Sequence, residues 1–329
     1  MSSATHATRR VTPLPFEGAE KLQLRDVWGQ ALLDMAREFP DLVVLDGDLA
    51  NSTRADIIQG EMPERFFEMG IAEQNMVGVA AGMATLGFVP WLSTFAAFMA
   101  NRATDQVRIV VAQPGLNVKM CGAYSGILTG KTGKTHQSVE DLAIFRAMPG
   151  VVTIAPADAV EMRSAMRVMQ ETPGPMYLRV TRDPSPTIFP ADYQFAIGAG
   201  VLLRQGADIG LISTGVQTVR VLEAAELLAA DGISASVLHL PTLKPIDADA
   251  IVAVAEGTGR ILTSEDHSII GGLGSAVAEV LGQQRPTPMR INGLRDVYGE
   301  SAPNDYLLDK YGISAQHVAA EARALISAQ

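Results

Sequence analysis

The chain alternates short segments in which every residue is apolar with longer segments in which apolar residues recur every three or four positions. The run 42–45, Leu-Val-Val-Leu, follows a helical repeat at Val27, Ala31 and Met35. A strand that is apolar at every position, rather than at alternate positions, belongs to a sheet covered on both faces. The sequence therefore predicts an α/β protein built from mostly parallel, doubly wound sheets.

The same pattern divides the chain into two units. It predicts further strands at 88–92, 109–112, 118–121, 151–154, 177–180, 209–213, 235–240 and 261–264, and helices at 73–86, 216–230 and 315–327. The prolines of segment 183–190 disfavour a helix and mark a linker. We expect a loose, Ser/Thr/Pro-rich N-terminal arm over residues 1–20, a first domain over 21–186 and a second domain over 187–329.

Charge and composition argue against several function classes. Asp and Glu outnumber Lys and Arg 36 to 26, and such an excess repels phosphate backbones and anionic lipid, so neither nucleic acid nor a membrane is an expected partner. A single cysteine, Cys121, excludes an internal disulfide and fits a reducing compartment. We find no signal-peptide pattern, no membrane-spanning apolar run and no metal-ligand spacing among the histidines. We expect a cytoplasmic protein with no metal site of its own.

A glycine-rich stretch over residues 122–137 carries Lys131, Lys134 and His136 between a predicted strand and a predicted helix. Loops in this position often hold binding groups. Glycine is also common in ordinary surface loops. From this stretch alone, a ligand site and a plain surface loop both remain open.

A second glycine cluster, Gly271-Gly272-Leu273-Gly274, follows a strand and opens a helix. This is the position of a dinucleotide-binding loop, although the pattern matches such a loop only in part. The alternative is that these glycines let the helix pack closely on the strand.

The segment 66–76 places a carboxylate, Glu73, between an apolar strand and a helix of small residues. The N–H groups at a helix N-terminus stabilise an anion, so a carboxylate is stable here even when it is partly buried. A plain helix-start glutamate would look the same in isolation.

Five motifs together resemble the C-terminal half of a transketolase. They are LDGDLANST at 45–53, IAEQNM at 71–76, STFAAF at 93–98, THQSVEDL at 135–142 and EDHSIIGGLG at 265–274. The resemblance covers nearly the whole chain after residue 20, with the motifs in the family's order. It implies a domain that binds the aminopyrimidine ring of thiamine diphosphate, followed by a transketolase C-terminal domain that helps to build a dimer.

The resemblance assigns cofactor contacts to four residues. Glu73 matches the glutamate that hydrogen-bonds the aminopyrimidine nitrogen, which lets the cofactor remove the proton from its own reactive carbon. Phe95 matches the aromatic residue that stacks on the ring, and Phe98 sits in the same pocket; each would otherwise be a plain core residue. Asp48 is a further cofactor-binding position.

The resemblance also implies the substrate contacts. His136 matches a catalytic histidine that faces the sugar hydroxyls. Arg25, Ser52 and Arg182 match positions that hold the sugar phosphate, where an arginine fork suits phosphate oxygens. Taken alone, such arginines are usually surface charges. Thr132 occupies the position of an aspartate that reads a hydroxyl beside the carbonyl.

One part of the family pattern is missing from the sequence. Transketolases carry Gly-Asp-Gly and, about 25 residues later, paired asparagines that bind Mg²⁺ and the diphosphate. The segment Asp46-Gly47-Asp48 is not this site, since no Asn-Asn pair follows it. We therefore expect a partner subunit that supplies the Mg²⁺ and diphosphate site, in an α2β2 assembly around a homodimer of this chain. Together they would transfer a two-carbon ketol unit from a ketose phosphate to an aldose or aldose phosphate.

Two departures from the family leave the sugar open. The family's Glu-Asp pair is Lys131-Thr132 here, and a family histidine is replaced by Tyr124. Either change is compatible with a branched, deoxy or sulfonated ketose.

Three alternatives to a transketolase subunit are a 1-deoxyxylulose-phosphate synthase, the beta subunit of a 2-oxo-acid dehydrogenase complex and a non-catalytic regulatory homologue. The chain is closer to transketolase than to the synthase around 51–53 and 95–98. The motif at 135–137 and Arg182 favour a phosphosugar enzyme over the dehydrogenase subunit. The presence of Glu73, Phe95 and His136 together argues against a regulatory homologue.

Overall fold

The described residues, 8–182 and 184–328 of the computed structural model, form two large sheets with helices packed on both faces. The strands are β1 (Arg9–Arg10), β2 (Lys21–Gln23), β3 (Leu42–Asp46), β4 (Phe66–Glu68), β5 (Val89–Phe95), β6 (Lys119–Ala123), β7 (Val152–Ile154), β8 (Met176–Val180), β9 (Pro184–Pro186), β10 (Val201–Arg204), β11 (Ile209–Ser213), β12 (Ala235–His239), β13 (Thr242–Lys244), β14 (Ile261–Ser268) and β15 (Met289–Leu294). The helices are α1 (Leu24–Glu38), α2 (Ala50–Thr53), α3 (Asp56–Glu61), α4 (Glu73–Thr85), α5 (Ala96–Arg102), α6 (Thr104–Gln106), α7 (Asp141–Ala147), α8 (Ala159–Glu171), α9 (Gln217–Ala230), α10 (Ala248–Thr258), α11 (Leu273–Gln284), α12 (Asn304–Lys310) and α13 (Ala315–Ser327). A π-helical turn spans Val107–Ala112, and 3₁₀ turns span Pro63–Arg65 and Gly130–Thr132.

The first sheet has seven strands in the order β13-β7-β8-β6-β5-β3-β4, and all pairs except β13 with β7 are parallel. Every residue of β3, β5, β6 and β8 is buried. Helices α1 and α8 cover one face, and α4 and α5 cover the other. Uninterrupted apolar strands predict this two-sided cover, and the α/β fold class is confirmed.

The second sheet has six strands in the order β1-β10-β12-β11-β14-β15. Strands β11, β12, β14 and β15 are parallel, whereas β10 runs antiparallel to β12. Helices α9 and α13 pack against each other, as do α10 and α11. Strand β13 leaves this unit to pair with β7 of the first sheet. Among the helices of the two described ranges, none has both the length and the apolarity needed to cross a bilayer.

One predicted strand is wrong. Residues 109–112 lie in the π-helical turn and not in a sheet. Val107 and Val111 are buried, whereas Ile109 is 46% exposed. The apolar side chains therefore lie on different sides of a helical turn. An uninterrupted apolar run has no period of its own, and only the packing distinguishes a strand from a helical turn.

The N-terminal segment and the linker are more ordered than the sequence indicates. Strand β1 pairs in parallel with β10, and the Leu14 N–H donates to the Ile188 carbonyl at 2.8 Å. Strand β2 forms a small antiparallel sheet with β9, within the proline-rich linker. The backbone N–H and C=O groups of these segments form hydrogen bonds with residues that are distant in the sequence. Such contacts leave no local pattern in the sequence. Residues 1–7 and Asp183 lie outside the described residues.

The second glycine cluster packs helix α11 against the sheet. The Glu265 carboxylate accepts hydrogen bonds from the Leu273 and Gly274 N–H groups, at 2.6 and 2.8 Å. A Cβ atom at Gly272 would lie 2.1 Å from Glu265 Oε2, so only glycine fits there. The chain's own carboxylate thus takes the position at which a dinucleotide phosphate would bind, which supports the close-packing alternative.

We expect Glu265 to make stability depend on pH. Burial raises the pKa of Glu265 to about 7, although the two N–H groups oppose the rise. A carboxyl with a raised folded-state pKa stabilises the fold most below its unfolded-state pKa and loses that contribution as pH rises through the folded-state value. From about pH 5 to pH 8, the unfolding free energy of wild type should therefore fall by about 2–3 kcal/mol relative to Glu265→Gln.

Urea unfolding followed by circular dichroism measures this difference. The exposed Glu256→Gln on α10 is the matched control and should behave as wild type. An equal pH dependence in wild type and Glu265→Gln would contradict the prediction.

Candidate active site

The predicted site residues gather at one edge of the first sheet. Strands β3, β5, β6 and β8 end at this edge, which is where open α/β sheets bind ligands. Phe95 ends β5, Tyr124 follows β6 and Arg182 comes shortly after β8. The topology thus brings residues from distant parts of the chain into one place.

A buried carboxylate lies at the start of helix α4. Glu73 is the first residue of this helix, and its side chain is 3% exposed. Its Oε1 accepts a hydrogen bond from Arg102 Nη1 at 2.8 Å. The helix N-terminus and one arginine therefore stabilise a charged hydrogen-bond acceptor in the interior.

Phe95, Phe98 and Tyr124 form an aromatic stack. The ring centroids of Phe95 and Tyr124 are 4.1 Å apart, and Phe95 is 4% exposed. Phe98 lies 5.6 Å from Phe95 and is only partly buried. The Arg102 guanidinium lies over the Phe98 ring, 3.9 Å from its centroid. Phe95 is thus the covered ring, and Phe98 borders a cleft of about 310 Å³ that Tyr298 also lines.

Glu73 and Phe98 already hold one flat group, the Arg102 guanidinium, by a hydrogen bond and by a ring-face contact. The same two contacts fit the aminopyrimidine ring of thiamine diphosphate, which is flat and forms hydrogen bonds with a carboxylate. Arg102 is 46% exposed, so its side chain has solvent beside it into which it can turn.

Throughout 8–182 and 184–328, no three His, Cys, Asp or Glu side chains are grouped so as to bind a metal ion.

Three cations line a second cleft, of about 360 Å³. They are Arg25 from α1, Arg182 after β8 and Lys131 from the 3₁₀ turn. Arg25 Nη1 donates to the Tyr124 hydroxyl at 2.7 Å and to the Ser52 carbonyl at 3.2 Å. The guanidinium carbon of Arg182 lies 5.2 Å from the centroid of the Tyr124 ring. This cationic cleft therefore offers positive charge to an anionic group.

His136 and Ser52 lie close to these features. His136 is partly buried and meets the Phe98 ring edge-on, with 5.3 Å between centroids. Its Nδ1 hydrogen-bonds Thr135 Oγ1 at 2.9 Å. Ser52 reaches Arg25 through its carbonyl, while its hydroxyl donates to the side chain of Asn51.

Thr132 and Asp48 line neither cleft. The Thr132 hydroxyl bonds the Thr129 hydroxyl at 2.5 Å and is thus turned into its own loop. The neighbouring Lys131 is exposed and lines the cationic cleft. Asp48 is exposed in the left-handed conformation, with a φ of 63°, and its N–H donates to Glu68 Oε1 at 3.0 Å. The geometry therefore turns Lys131, rather than Thr132, toward the cleft.

The glycine-rich stretch is not an ordinary surface loop, because residues 121–130 are buried. Gln137 Nε2 donates to the carbonyls of Ile127, Gly130 and Glu300, at 3.3, 3.4 and 3.0 Å. Since Glu300 belongs to the second unit, the shape of the loop depends on both units.

Sequence reasoning missed two residues that shape the site. Arg102 lies four positions after Phe98, a spacing that puts both side chains on one side of a helix. This spacing could have predicted their contact. Gln137 lies within a recognised motif, but its contact with Glu300 spans 163 positions, which no local pattern predicts.

Comparison with known proteins identifies the class. Residues 20–186 match the transketolase pyrimidine-binding domain, and residues 198–318 match the transketolase C-terminal domain. The chain belongs to the transketolase family, which confirms the resemblance carried by the five motifs.

Similar proteins include separate subunits. The chain is 41% identical over 305 residues to the 6-deoxy-6-sulfo-D-fructose transketolase subunit of Clostridium sp. (strain MSTE9), covering 92% of this chain and 95% of that one. It is also 41% identical over 300 residues to a putative transketolase C-terminal section of Methanocaldococcus jannaschii, covering 90% and 94%. A split-gene transketolase solved as an inactive β4 tetramer has a TM-score of 0.86 at 42% identity, over 93% of this chain and 99% of that chain.

We expect Gln137→Leu to loosen the glycine-rich loop, because leucine removes the donor that three carbonyls share. The free energy of unfolding should fall by about 1–3 kcal/mol. Limited trypsin digestion should cleave faster after Lys131 and Lys134, which are both exposed. The matched control is Gln59→Leu at an exposed position of α3. Cleavage of Gln137→Leu at the wild-type rate would show that the amide does not hold the loop.

Proposed function

We propose that this chain is one subunit of a thiamine-diphosphate-dependent transketolase, which transfers a two-carbon ketol unit from a ketose phosphate to an aldose. Residues 21–186 are then the pyrimidine-binding domain, and residues 187–329 are the C-terminal domain. The observation that carries the proposal is the buried Glu73 carboxylate paired with the Phe98 ring face. Together with the cationic cleft, this pair fits a flat cofactor ring and an anionic sugar.

We further propose that a second subunit supplies the Mg²⁺ and diphosphate site, in an α2β2 assembly around two copies of this chain. The related split-gene transketolase is inactive as a β4 tetramer, which supports a division of the activity between subunits. Ile71, two residues before Glu73, is 71% exposed, and Tyr298, on the cleft beside Phe98, is 70% exposed. Large apolar side chains at such positions are the kind that a partner surface covers.

The roles proposed for the chain's own residues follow from their positions. Thiamine diphosphate, when bound, supplies a nucleophilic carbon for breaking and forming the carbon–carbon bond. Glu73 accepts a hydrogen bond from the ring nitrogen and so holds the proton there. The resemblance gives the stacking role to Phe95, but we propose Phe98 for it, because Phe98 borders the cleft whereas Phe95 is buried behind it against Tyr124. His136, edge-on to Phe98, hydrogen-bonds a sugar hydroxyl and moves its proton.

The cationic cleft holds the charged end of the sugar in this proposal. Arg25 and Arg182 present guanidinium groups, and Lys131 adds a third positive charge. The Clostridium relative is named for a sugar with a sulfonate, and sulfonate and phosphate share the oxyanion that arginine binds. We therefore propose a donor ketose with a terminal oxyanion.

Reconstitution tests the proposed division between subunits. The purified chain should show no ketol transfer alone and should bind thiamine diphosphate with Mg²⁺ weakly in a calorimetric titration. Activity should appear when a subunit that carries the Mg²⁺ and diphosphate site is added. Tight cofactor binding and turnover by this chain alone would refute the division.

In the reconstituted complex, Glu73→Gln should lower kcat by about two to four orders of magnitude, because an amide cannot replace the carboxylate in proton transfer. Assembly should be unchanged, since glutamine has nearly the same size. The direct measurement is hydrogen–deuterium exchange at the reactive cofactor carbon, followed by NMR. The exposed Glu64→Gln is the matched control. Exchange at the wild-type rate in Glu73→Gln would exclude the proposed role.

Arg25→Ala and Arg182→Ala should each raise the KM for a ketose phosphate about tenfold or more, because each loses a charge-assisted hydrogen bond of about 1.5–3 kcal/mol. An unphosphorylated ketose should respond little. Arg108→Ala, at an exposed position of the π-helical turn, is the control. Equal losses with both sugars would mean that the two arginines are structural.

A further inference from the structure

Tyr124 contacts both arginines of the cationic cleft and joins them to the aromatic stack. Its hydroxyl accepts a hydrogen bond from Arg25 Nη1 at 2.7 Å. The guanidinium carbon of Arg182 lies 5.2 Å from its ring centroid, and the Phe95 ring stacks on it at 4.1 Å. The residue is 4% exposed, so its surface is used almost entirely by contacts within the protein.

The backbone at Tyr124 is held in a conformation that aromatic residues rarely adopt. Its φ is 58°, in the left-handed region. The following N–H groups are fixed, since Ser125 donates to the Val180 carbonyl at 3.3 Å and Gly126 donates to the Ser138 carbonyl at 2.8 Å. Surrounding structure has to stabilise such a conformation. The turn after β6 therefore directs this side chain to the two arginines.

We propose that Tyr124 is a positioning residue, which orients Arg25 and Arg182 toward one oxyanion without contacting the sugar itself. This inference rests on the proposed function, because it concerns the same cleft. It also gives a role to the position where the family has a histidine.

The hydrogen bonds of Arg25 support this role. Its Nε donates to Gln23 Oε1 at 2.9 Å, and its Nη1 is shared between the Ser52 carbonyl and the Tyr124 hydroxyl. Its Nη2 makes no hydrogen bond to any residue that the structure describes. The guanidinium is thus held by two nitrogens, and the third remains for a ligand.

Arg182 is located by a different kind of contact. Its guanidinium makes no hydrogen bond within the described ranges, and the Tyr124 ring is the aromatic surface against which it lies. A cation over an aromatic face is attracted to it but keeps its N–H groups available. Tyr124 therefore orients both guanidinium groups, one through its hydroxyl and the other through its ring.

This arrangement predicts an effect on substrate affinity and not on the chemistry. A guanidinium that is already oriented loses less conformational entropy when it binds an oxyanion. Removing the Tyr124 hydroxyl takes away the shortest of the three hydrogen bonds that hold Arg25, and it leaves the ring under Arg182 unchanged. The substitution should therefore weaken the affinity for the anionic end of the sugar and leave kcat unchanged.

The test compares wild type with Tyr124→Phe as the full chain, using inorganic phosphate as the probe in calorimetric titration. Phosphate should bind about five- to tenfold more weakly to Tyr124→Phe, with no loss of thermal stability. In the reconstituted complex, KM for a ketose phosphate should rise by a similar factor, kcat should change less than about twofold, and an uncharged ketose should be unaffected. Tyr306→Phe, at a position 53% exposed on α12, is the matched control.

Three results would overturn the inference. They are equal phosphate affinity in wild type and Tyr124→Phe, no phosphate binding by wild type, and a fall in kcat with KM unchanged, which would indicate direct contact with the reacting sugar. Failure of the proposed function looks different. In that case the complex would show no ketol transfer, while phosphate binding would still weaken in Tyr124→Phe.

Discussion

The geometry of the site depends on a buried ion pair between Arg179 and Asp141. Arg179 Nε and Nη2 donate to the two carboxylate oxygens at 2.9 and 3.2 Å, and neither side chain is more than 4% exposed. The same guanidinium donates to the carbonyls of Ser138 and Asp266, at 3.3 and 2.7 Å. One side chain thus ties together β8, α7 and β14, which belong to both units. Removing either partner would leave an unpaired charge in the interior, at a cost of about 3–5 kcal/mol.

Asp266 extends this constraint to the glycine-rich loop. Its Oδ1 accepts the Ile127 N–H at 3.0 Å, and a Cβ atom at Gly126 would lie 1.9 Å from its Oδ2. On the other side of the loop, Ser301 Oγ donates to the Lys131 carbonyl at 2.7 Å. The second unit therefore determines where this loop places its side chains, which explains why the proposed sugar cleft cannot be understood from the first unit alone.

Local pattern predicted the fold class and most of the strands, whereas the candidate site residues came from the resemblance to transketolases, and local pattern failed where packing decides the conformation. The strand Ile209–Ser213 and the helix Ala315–Ser327 have the predicted bounds, because the first is a short apolar run between Asp208 and Gly215 and the second repeats its apolar residues every three or four positions. The run 109–112 has no period, so its helical conformation depends on packing. The resemblance predicts that Thr132 faces the sugar, whereas its hydroxyl is hydrogen-bonded to the Thr129 hydroxyl and Lys131 lines the cationic cleft. Which of two neighbouring side chains faces a cleft is a property of the folded loop and not of the motif.

Strand β13 belongs to the second unit but pairs within the first sheet, and this pairing restricts movement of one unit relative to the other. Because β13 pairs with β7, and the hydrogen bond from Arg179 to the Asp266 carbonyl crosses the same boundary, the described parts of the two halves have no simple hinge between them. In the proposed assembly, entry and exit of a sugar then depend on gaps between polypeptides and on exposed side chains that border the clefts, such as Arg102 and Lys131. Where release limits turnover, its speed is set by how polypeptides separate. In that assembly, a compound that binds two polypeptides at once would slow turnover without occupying the reactive centre.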